Sequence, residues 1–98
     1  MSTMDIELVL KELGREIEQR REKDNRWSRH EMVYHLQDKV GVQICDRTLL
    51  AYEHGIRRMP VARLLQLCEA LGVSAPAVLL AAIVRADNAR CRSCGGAQ

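Results

Sequence analysis

The chain has 98 residues and a hydrophobic content of 47%, yet its only aromatic residues are Trp27, Tyr34 and Tyr52. This length allows one small domain, and a core of aliphatic side chains favours packed helices over sheets. The net charge of +2 does not by itself indicate a polyanionic partner, and the longest apolar stretch, residues 73–84, is too short to span a bilayer. The start of the chain is polar and does not resemble a signal peptide, so we expect a cytoplasmic protein that does not enter a membrane.

The first predicted helix runs from Asp5 to about Lys23. Its apolar residues recur four, three and four positions apart, which predicts one buried stripe on an otherwise charged helix. These residues are Ile6, Leu10, Leu13 and Ile17. Gly14 lowers the stability of a helix, so we expect another helix to approach closely at that point.

A capping box predicts the start of the second helix. The Ser28 hydroxyl and the Glu31 carboxylate can each accept a hydrogen bond from a backbone amide that lacks a partner in the first turn. The residues expected to face inward are Met32, Val33 and Leu36. Residues 37–45 are predicted to form a long connection around Gly41, and their alternating apolar residues indicate a short extended segment.

The third predicted helix, from Asp46 to Gly55, is short and has two different faces. Leu49, Tyr52 and Ile56 are three and four positions apart, so one face can lie on the core. The opposite face carries Arg47, Leu50, Ala51 and His54. We predict Asp46 as the N-cap, because its carboxylate can accept from a first-turn amide. The outer face has few carboxylates, which favours a helix that enters the major groove of DNA.

Two further helices are predicted after the third. Pro60 begins the fourth, where its missing amide is tolerated, and Gly72 caps its C-terminus. The buried stripe of this helix is expected to be Leu64, Leu67, Cys68 and Leu71. Ser74 then caps a fifth helix from Ala75 to about Asn88. Its apolar surface is wider than one small domain needs, so we expect a dimer interface there. The expected interface residues are Val78, Leu79, Leu80, Ile83 and Val84.

Residues 89–98 are predicted to be a flexible tail. Cys91 and Cys94 in this tail have the spacing of half a zinc knuckle or of a redox pair. One such pair cannot fill a tetrahedral metal site, so reducible thiols on an unstructured tail are the simpler interpretation. We therefore predict no metal site and no cofactor.

Three motifs in order carry a resemblance to a known family. They read Leu13-Gly14-x-x-Ile17-x-x-x-Arg21, then Trp27-Ser28-Arg29-x-Glu31-Met32, then Arg47-Thr48-Leu49-x-x-Tyr52-Glu53-x-Gly55-x-Arg57-x-x-Pro60. With the segment LLQLCEALGV at residues 64–73, they resemble the Cro/λ-repressor (XRE) family of transcriptional regulators, in the form common among actinobacteria. The resemblance implies an all-α, five-helix λ-repressor-like bundle over residues 5–88, whose second and third helices form a helix-turn-helix. It also implies a homodimer that binds palindromic double-stranded DNA.

The resemblance further implies which side chains contact DNA. The base-facing positions would be Asp46, Arg47, Leu50 and Ala51, and the phosphate-contacting positions would be Ser28, Arg29, Thr48, Arg57 and Arg58. Arg21 and Glu53 match a family pair that links the first helix to the third. Arg47 is the candidate for sequence readout, since arginine can donate two hydrogen bonds to guanine, worth about 1–3 kcal/mol of discrimination. An ordinary phosphate contact is the alternative role for this arginine.

Three functional hypotheses remain open at this point. The first is a sequence-specific DNA-binding regulator, expected to act as a repressor. The second is an antitoxin-like subunit that uses the same fold and grips a protein partner through its fifth helix or tail. The third is a thiol- or zinc-responsive regulator acting through Cys91 and Cys94. The residues do not assemble into a nucleophile with its base, a phosphate-binding glycine loop or a catalytic carboxylate pair, so we do not expect an enzyme.

Overall fold

The structure, a computed structural model, describes the backbone of residues 5–95 and the side chains of residues 5–89. Within this part of the chain all regular structure is helical, and it forms five helices. They are α1 (Ile6–Gln19), α2 (Arg29–His35), α3 (Asp46–Glu53), α4 (Val61–Leu71) and α5 (Ala75–Gly95). The predicted all-α, five-helix bundle is therefore confirmed.

The helices surround one core. α1 packs against α5 and α3, α2 packs against α3, and α4 packs against α5 and the end of α2. The principal core side chains are Leu13, Ile17, Met32, Leu36, Leu49, Tyr52, Leu64, Leu67, Leu71 and Val78. The stripe predicted for α1 is wrong at its first position, because Ile6 is 54% exposed and Val9 is buried at that end of the helix. The stripe predicted for α4 is confirmed in full.

α1 and α2 each continue into a π-helical turn, Arg20–Asp24 after α1 and Leu36–Val40 after α2. Gly41 ends the second of these turns with a left-handed φ of 73°. The connection to α3 therefore spans only residues 41–45, and the prediction of a connection from residue 37 is wrong in its first half. The helix continues because Leu36 is fully buried and Val40 packs against the core one turn later.

Gly14 allows α1 to pass directly over the end of α3. A Cβ atom at this position would lie 2.6 Å from the backbone carbonyl oxygen of Glu53, and closer still to that of Tyr52. Real Cβ atoms do not approach other atoms so closely. The close helix approach expected from the sequence is thus present, and it determines the distance between α1 and α3.

α3 ends earlier than its apolar pattern suggests. Gly55 adopts a φ of 70°, so the chain leaves the helix before Ile56 can reach the core. Ile56 is 77% exposed, and the prediction that it shares the inner face with Leu49 and Tyr52 is wrong. Met59, which follows in the same loop, is buried in the core cluster.

The ends of α4 and α5 agree only in part with the sequence. Gly72 caps α4 with a φ of 73°, as predicted, while Pro60 is the N-cap residue immediately before the helix. α5 does not stop near Asn88, and its backbone is helical to Gly95, where the sequence predicts a flexible tail from residue 89. The chain between these points contains neither glycine nor proline, so the helix can propagate. Residues 96–98 and the side chains of Cys91 and Cys94 lie outside what the structure describes.

Val78 was predicted to belong to a dimer interface, and this prediction is wrong. Its side chain is fully buried in the core. Of the other residues predicted for that interface, Leu79, Leu80 and Val84 are exposed and Ile83 is half-buried. Among residues 5–95, no single helix is long and apolar enough to cross a membrane; α4 and α5 reach that length and composition only as a pair bent by 111°.

Candidate nucleic-acid interface

α3 begins one residue earlier than the predicted Asp46 cap suggests. Cys45 has the extended N-cap backbone, with φ −91° and ψ 164°, and its carbonyl oxygen accepts from the Leu49 amide at 3.1 Å. Asp46 is therefore the first helical residue, and the prediction that its carboxylate caps the helix is wrong. The Cys45 thiol lies 3.2 Å from the Thr48 hydroxyl.

The two faces of α3 are separated as predicted over the length of the helix itself. Leu49, Tyr52 and Glu53 are buried. Arg47 is exposed on the other side, with Leu50 and Ala51 half-buried beside it. Of the four predicted base-facing residues, Asp46 and Arg47 are thus the two most open to solvent.

A buried ion pair holds the C-terminal end of α3. The Arg21 guanidinium donates from Nε to Glu53 Oε2 at 2.7 Å and from a terminal nitrogen to Oε1 at 3.2 Å, as the resemblance implied. It also donates to the carbonyl oxygen of Trp27 at 2.8 Å. Burial alone would lower the pKa of Arg21, but the hydrogen bond to Glu53 and its charge outweigh that effect, so the pKa is raised. The pair therefore locks the end of α1, the corner at Trp27 and the end of α3 together.

Arg29 joins this ion pair from α2. Its Nε donates to Glu53 Oε1 at 2.9 Å, and a terminal nitrogen lies 3.4 Å from Glu18 Oε2 on α1. The side chain is 32% exposed. A phosphate contact at this residue, as predicted from the resemblance, would have to compete with two carboxylates already in place.

Ser28 forms the predicted capping box with Glu31. Its hydroxyl accepts from the Glu31 amide at 3.1 Å, and the Glu31 carboxylate accepts from the Ser28 amide at 2.9 Å. These hydrogen bonds lower the pKa of Glu31. The hydroxyl of Ser28 is therefore engaged by its own helix, and the cap sets the start of α2 at the residue expected from the sequence.

The loop after α3 presents two exposed arginines. The Arg57 guanidinium lies over the Tyr52 ring, 5.8 Å from its centroid, and Arg58 forms an ion pair with Glu7 on α1. With Arg47 at the opposite end of α3, exposed basic side chains flank both ends of the helix. Eight helical residues separate these ends by about 12 Å. This arrangement suits a helix that lies between phosphate backbones.

One contact at this surface was not predicted. His30 Nδ1 lies 3.7 Å from Asp46 Oδ2, between the first turns of α2 and α3. The sequence assigned His30 no function. The only signal available was its place two residues after the Ser28 cap, and that becomes meaningful once α2 is known to pack on α3.

The described cysteines differ in environment. Cys45 is exposed, and its hydrogen bonds with Thr48 lower the pKa of its thiol. Cys68 is buried, and burial raises the pKa of its thiol. Within the described part of the chain, the His, Cys, Asp and Glu side chains do not form a group of three that could hold a metal ion. The chain matches no protein-family model, no curated protein and no solved structure.

Proposed function

We propose that this protein is a sequence-specific DNA-binding regulator that places α3 in the major groove and represses transcription in the cytoplasm. The observation that carries the proposal is the construction of α3. Its inner face is anchored by the buried Arg21–Glu53 pair, and its outer face presents Arg47. A helix of eight residues is only marginally stable alone. Its rigid attachment to α1 and α2 keeps its outer face in one position, as a helix that reads DNA requires.

In the proposed complex, Arg47 contacts base edges from the first turn of α3, and Leu50 and Ala51 offer apolar contact to thymine methyl groups. Arg57 and Arg58, with Thr48, contact phosphates. Two copies of the chain, joined through the exposed part of α5, present two such helices to a palindromic site. Half-sites about one helical turn apart follow from that two-fold arrangement.

Selection of bound duplexes from a random DNA pool tests the proposal directly. We expect an enriched palindrome whose affinity falls steeply as salt rises, because bound phosphates release counterions. A scrambled duplex of the same length and base composition is the matched control. Equal affinity for the enriched and the scrambled duplex at every salt concentration would refute sequence-specific binding.

A second function is favoured by one observation. Leu80 is 61% exposed and Val84 is 48% exposed on α5, and their spacing of four positions places them on one face that a partner could cover. An antitoxin-like subunit would cover these residues with a different protein. Purification from the native cell distinguishes the two, because a stoichiometric second protein on α5 would support the subunit and a self-associated chain would support the regulator.

A further inference from the structure

The first turns of α2 and α3 meet at an exposed histidine–carboxylate pair. His30 is in the first turn of α2, and its Nδ1 lies 3.7 Å from Oδ2 of Asp46, the first residue of α3. The side chain of His30 is 87% exposed and that of Asp46 is 52% exposed. The pair therefore opens to solvent at the end of α3 that carries Arg47, which is the end turned toward DNA in the proposed function.

The charged groups around His30 are few. On α2, hydrogen bonds with Ser28 are the main cause of the lowered pKa of Glu31, and the charges of His35 and His30 contribute less to it. Arg29, the preceding residue, turns inward to Glu53. On α3, the facing group is Asp46, followed in the chain by Arg47. The charge of Asp46 is thus met most directly by His30.

We propose that His30 is a proton-linked DNA contact, in which its imidazolium bridges the Asp46 carboxylate and a backbone phosphate oxygen. The inference rests on the proposed function. A carboxylate brought against the phosphates of DNA is repelled, and a neutral imidazole leaves that repulsion in place. The imidazolium offsets it, because its positive charge lies beside the Asp46 carboxylate, with Nδ1 3.7 Å from Oδ2, and its Nε2–H can donate to the phosphate.

The sign of the pH dependence follows from this arrangement. DNA favours the protonated form of His30, so binding takes up a proton and affinity falls as pH rises through the range in which histidine titrates, about pH 5 to 8. Because binding and protonation are linked, uptake of one proton for each bound protomer makes the association constant for DNA fall by up to about tenfold for each unit by which the pH rises.

Fluorescence anisotropy with labelled random-sequence duplex DNA measures this effect, because the proposed contact is to phosphate and does not need the operator. Titrations at about 50 mM salt cover pH values from about 5.5 to 8. The variants are His30→Gln and, as the matched control, His54→Gln, since His54 faces Glu18 at the other end of α3. A Cys45→Ser background removes a second titrating group beside Asp46, because hydrogen bonds with Thr48 lower the pKa of the Cys45 thiol. Circular dichroism at each pH verifies that every variant is folded.

The unmodified chain and His54→Gln should lose affinity several-fold or more per pH unit, while His30→Gln should bind with one affinity across the range. Asp46→Asn should bind DNA more tightly than the unmodified chain at the high end of the pH range, and its affinity should change less with pH. Calorimetry in two buffers of different ionisation enthalpy should show proton uptake for the unmodified chain and none for His30→Gln. The proposed link between protonation of His30 and DNA binding is overturned if the affinity of His30→Gln depends on pH as steeply as that of the unmodified chain. It is also overturned if the unmodified chain binds DNA with the same affinity at every pH. Either result leaves DNA binding itself intact. An unmodified chain that binds no duplex at any pH would overturn the proposed function and this inference together.

Discussion

Gly14 illustrates how one residue sets the distance between two helices. In isolation, replacing glycine by alanine inside a helix adds stability, by about 1 kcal/mol. At Gly14, however, the new Cβ would overlap the carbonyl oxygens of Tyr52 and Glu53, which belong to the backbone of α3 and cannot rotate away. The contact with α3 therefore predicts that Gly14→Ala destabilises the fold, whereas the intrinsic helix preference predicts that it stabilises the fold.

We expect Gly14→Ala to lower the free energy of unfolding by about 1–3 kcal/mol, the usual cost of overpacking. Urea denaturation followed by circular dichroism measures it. Ala62→Gly in the exposed first turn of α4 is the matched control, because it reports helix preference alone and should destabilise by about 1 kcal/mol or less. A stabilised Gly14→Ala protein would show that α1 and α3 do not pass this closely.

At the same scale, Arg47 is the side chain through which most hydrogen-bonded readout should pass. Arg47→Ala should cost about 1–3 kcal/mol per half-site on the selected operator and much less on random duplex DNA. Arg57→Ala is the control, because a phosphate contact should weaken both duplexes alike and flatten the salt slope. Equal losses on both duplexes for Arg47→Ala would reassign Arg47 to a phosphate.

At the scale of the helices, the carboxylate of Glu53 is the point where α1, α2 and α3 are joined. Its side chain is fully buried and meets guanidinium groups from two other helices, Arg21 and Arg29. Removing one partner of a buried pair leaves an uncompensated charge, which costs about 3–5 kcal/mol. The ion pairs of Glu53 therefore fix the position of α3 more than they add net stability.

Glu53→Leu should accordingly destabilise the fold by about 3–5 kcal/mol in urea denaturation. Adding Arg21→Met to Glu53→Leu removes the orphaned charge, so the double variant should recover much of that loss. Glu18→Gln is the control, since Glu18 contacts Arg29 in a partly exposed position and should cost below about 1 kcal/mol. A Glu53→Leu protein as stable as Glu18→Gln would contradict the role assigned to the pair.

At the scale of the whole molecule, the exposed apolar residues of α5 are the basis of the proposed self-association. Leu79, Leu80 and Val84 are exposed, and Leu80 and Val84 are four positions apart, so they share one face of the helix. Two copies of the chain can cover this face by packing their α5 helices together. The dimer would place both α3 helices in one complex, as a palindromic site requires.

We expect light scattering to show a dimer for the unmodified chain and a monomer for Leu80→Asp, because dimerisation would bury an unpaired charge. Leu65→Asp is the matched control, since Leu65 is a comparably exposed leucine on α4. It should remain dimeric. Both variants should keep their helical circular dichroism, because neither side chain belongs to the core. A dimer that survives Leu80→Asp and dissociates with Leu65→Asp would move the interface to α4.

The sequence by itself determined the features that depend on contacts within a few residues. The Ser28–Glu31 capping box, the left-handed Gly72 cap and the buried stripe of α4 all lie where the local pattern predicts them. These features are local because a cap or a helix stripe is defined by neighbours one turn away. The all-α class follows from the same periodicity. Gly14 was interpretable for a related reason, since glycine inside an otherwise regular helix has a cost that only a close approach explains.

Only the tertiary structure decided which apolar residues of each helix the core buries and which polar side chains contact each other. Periodicity places Val78 on the apolar face of α5 but does not show that the core, rather than a second chain, buries it. It likewise continues the α3 stripe to Ile56, although the positive φ of Gly55 turns the chain away first. The inward turn of Arg29 and the meeting of His30 with Asp46 bring together residues 24 and 16 positions apart in the chain. Such contacts depend on how helices pack against each other, and no local preference encodes that arrangement.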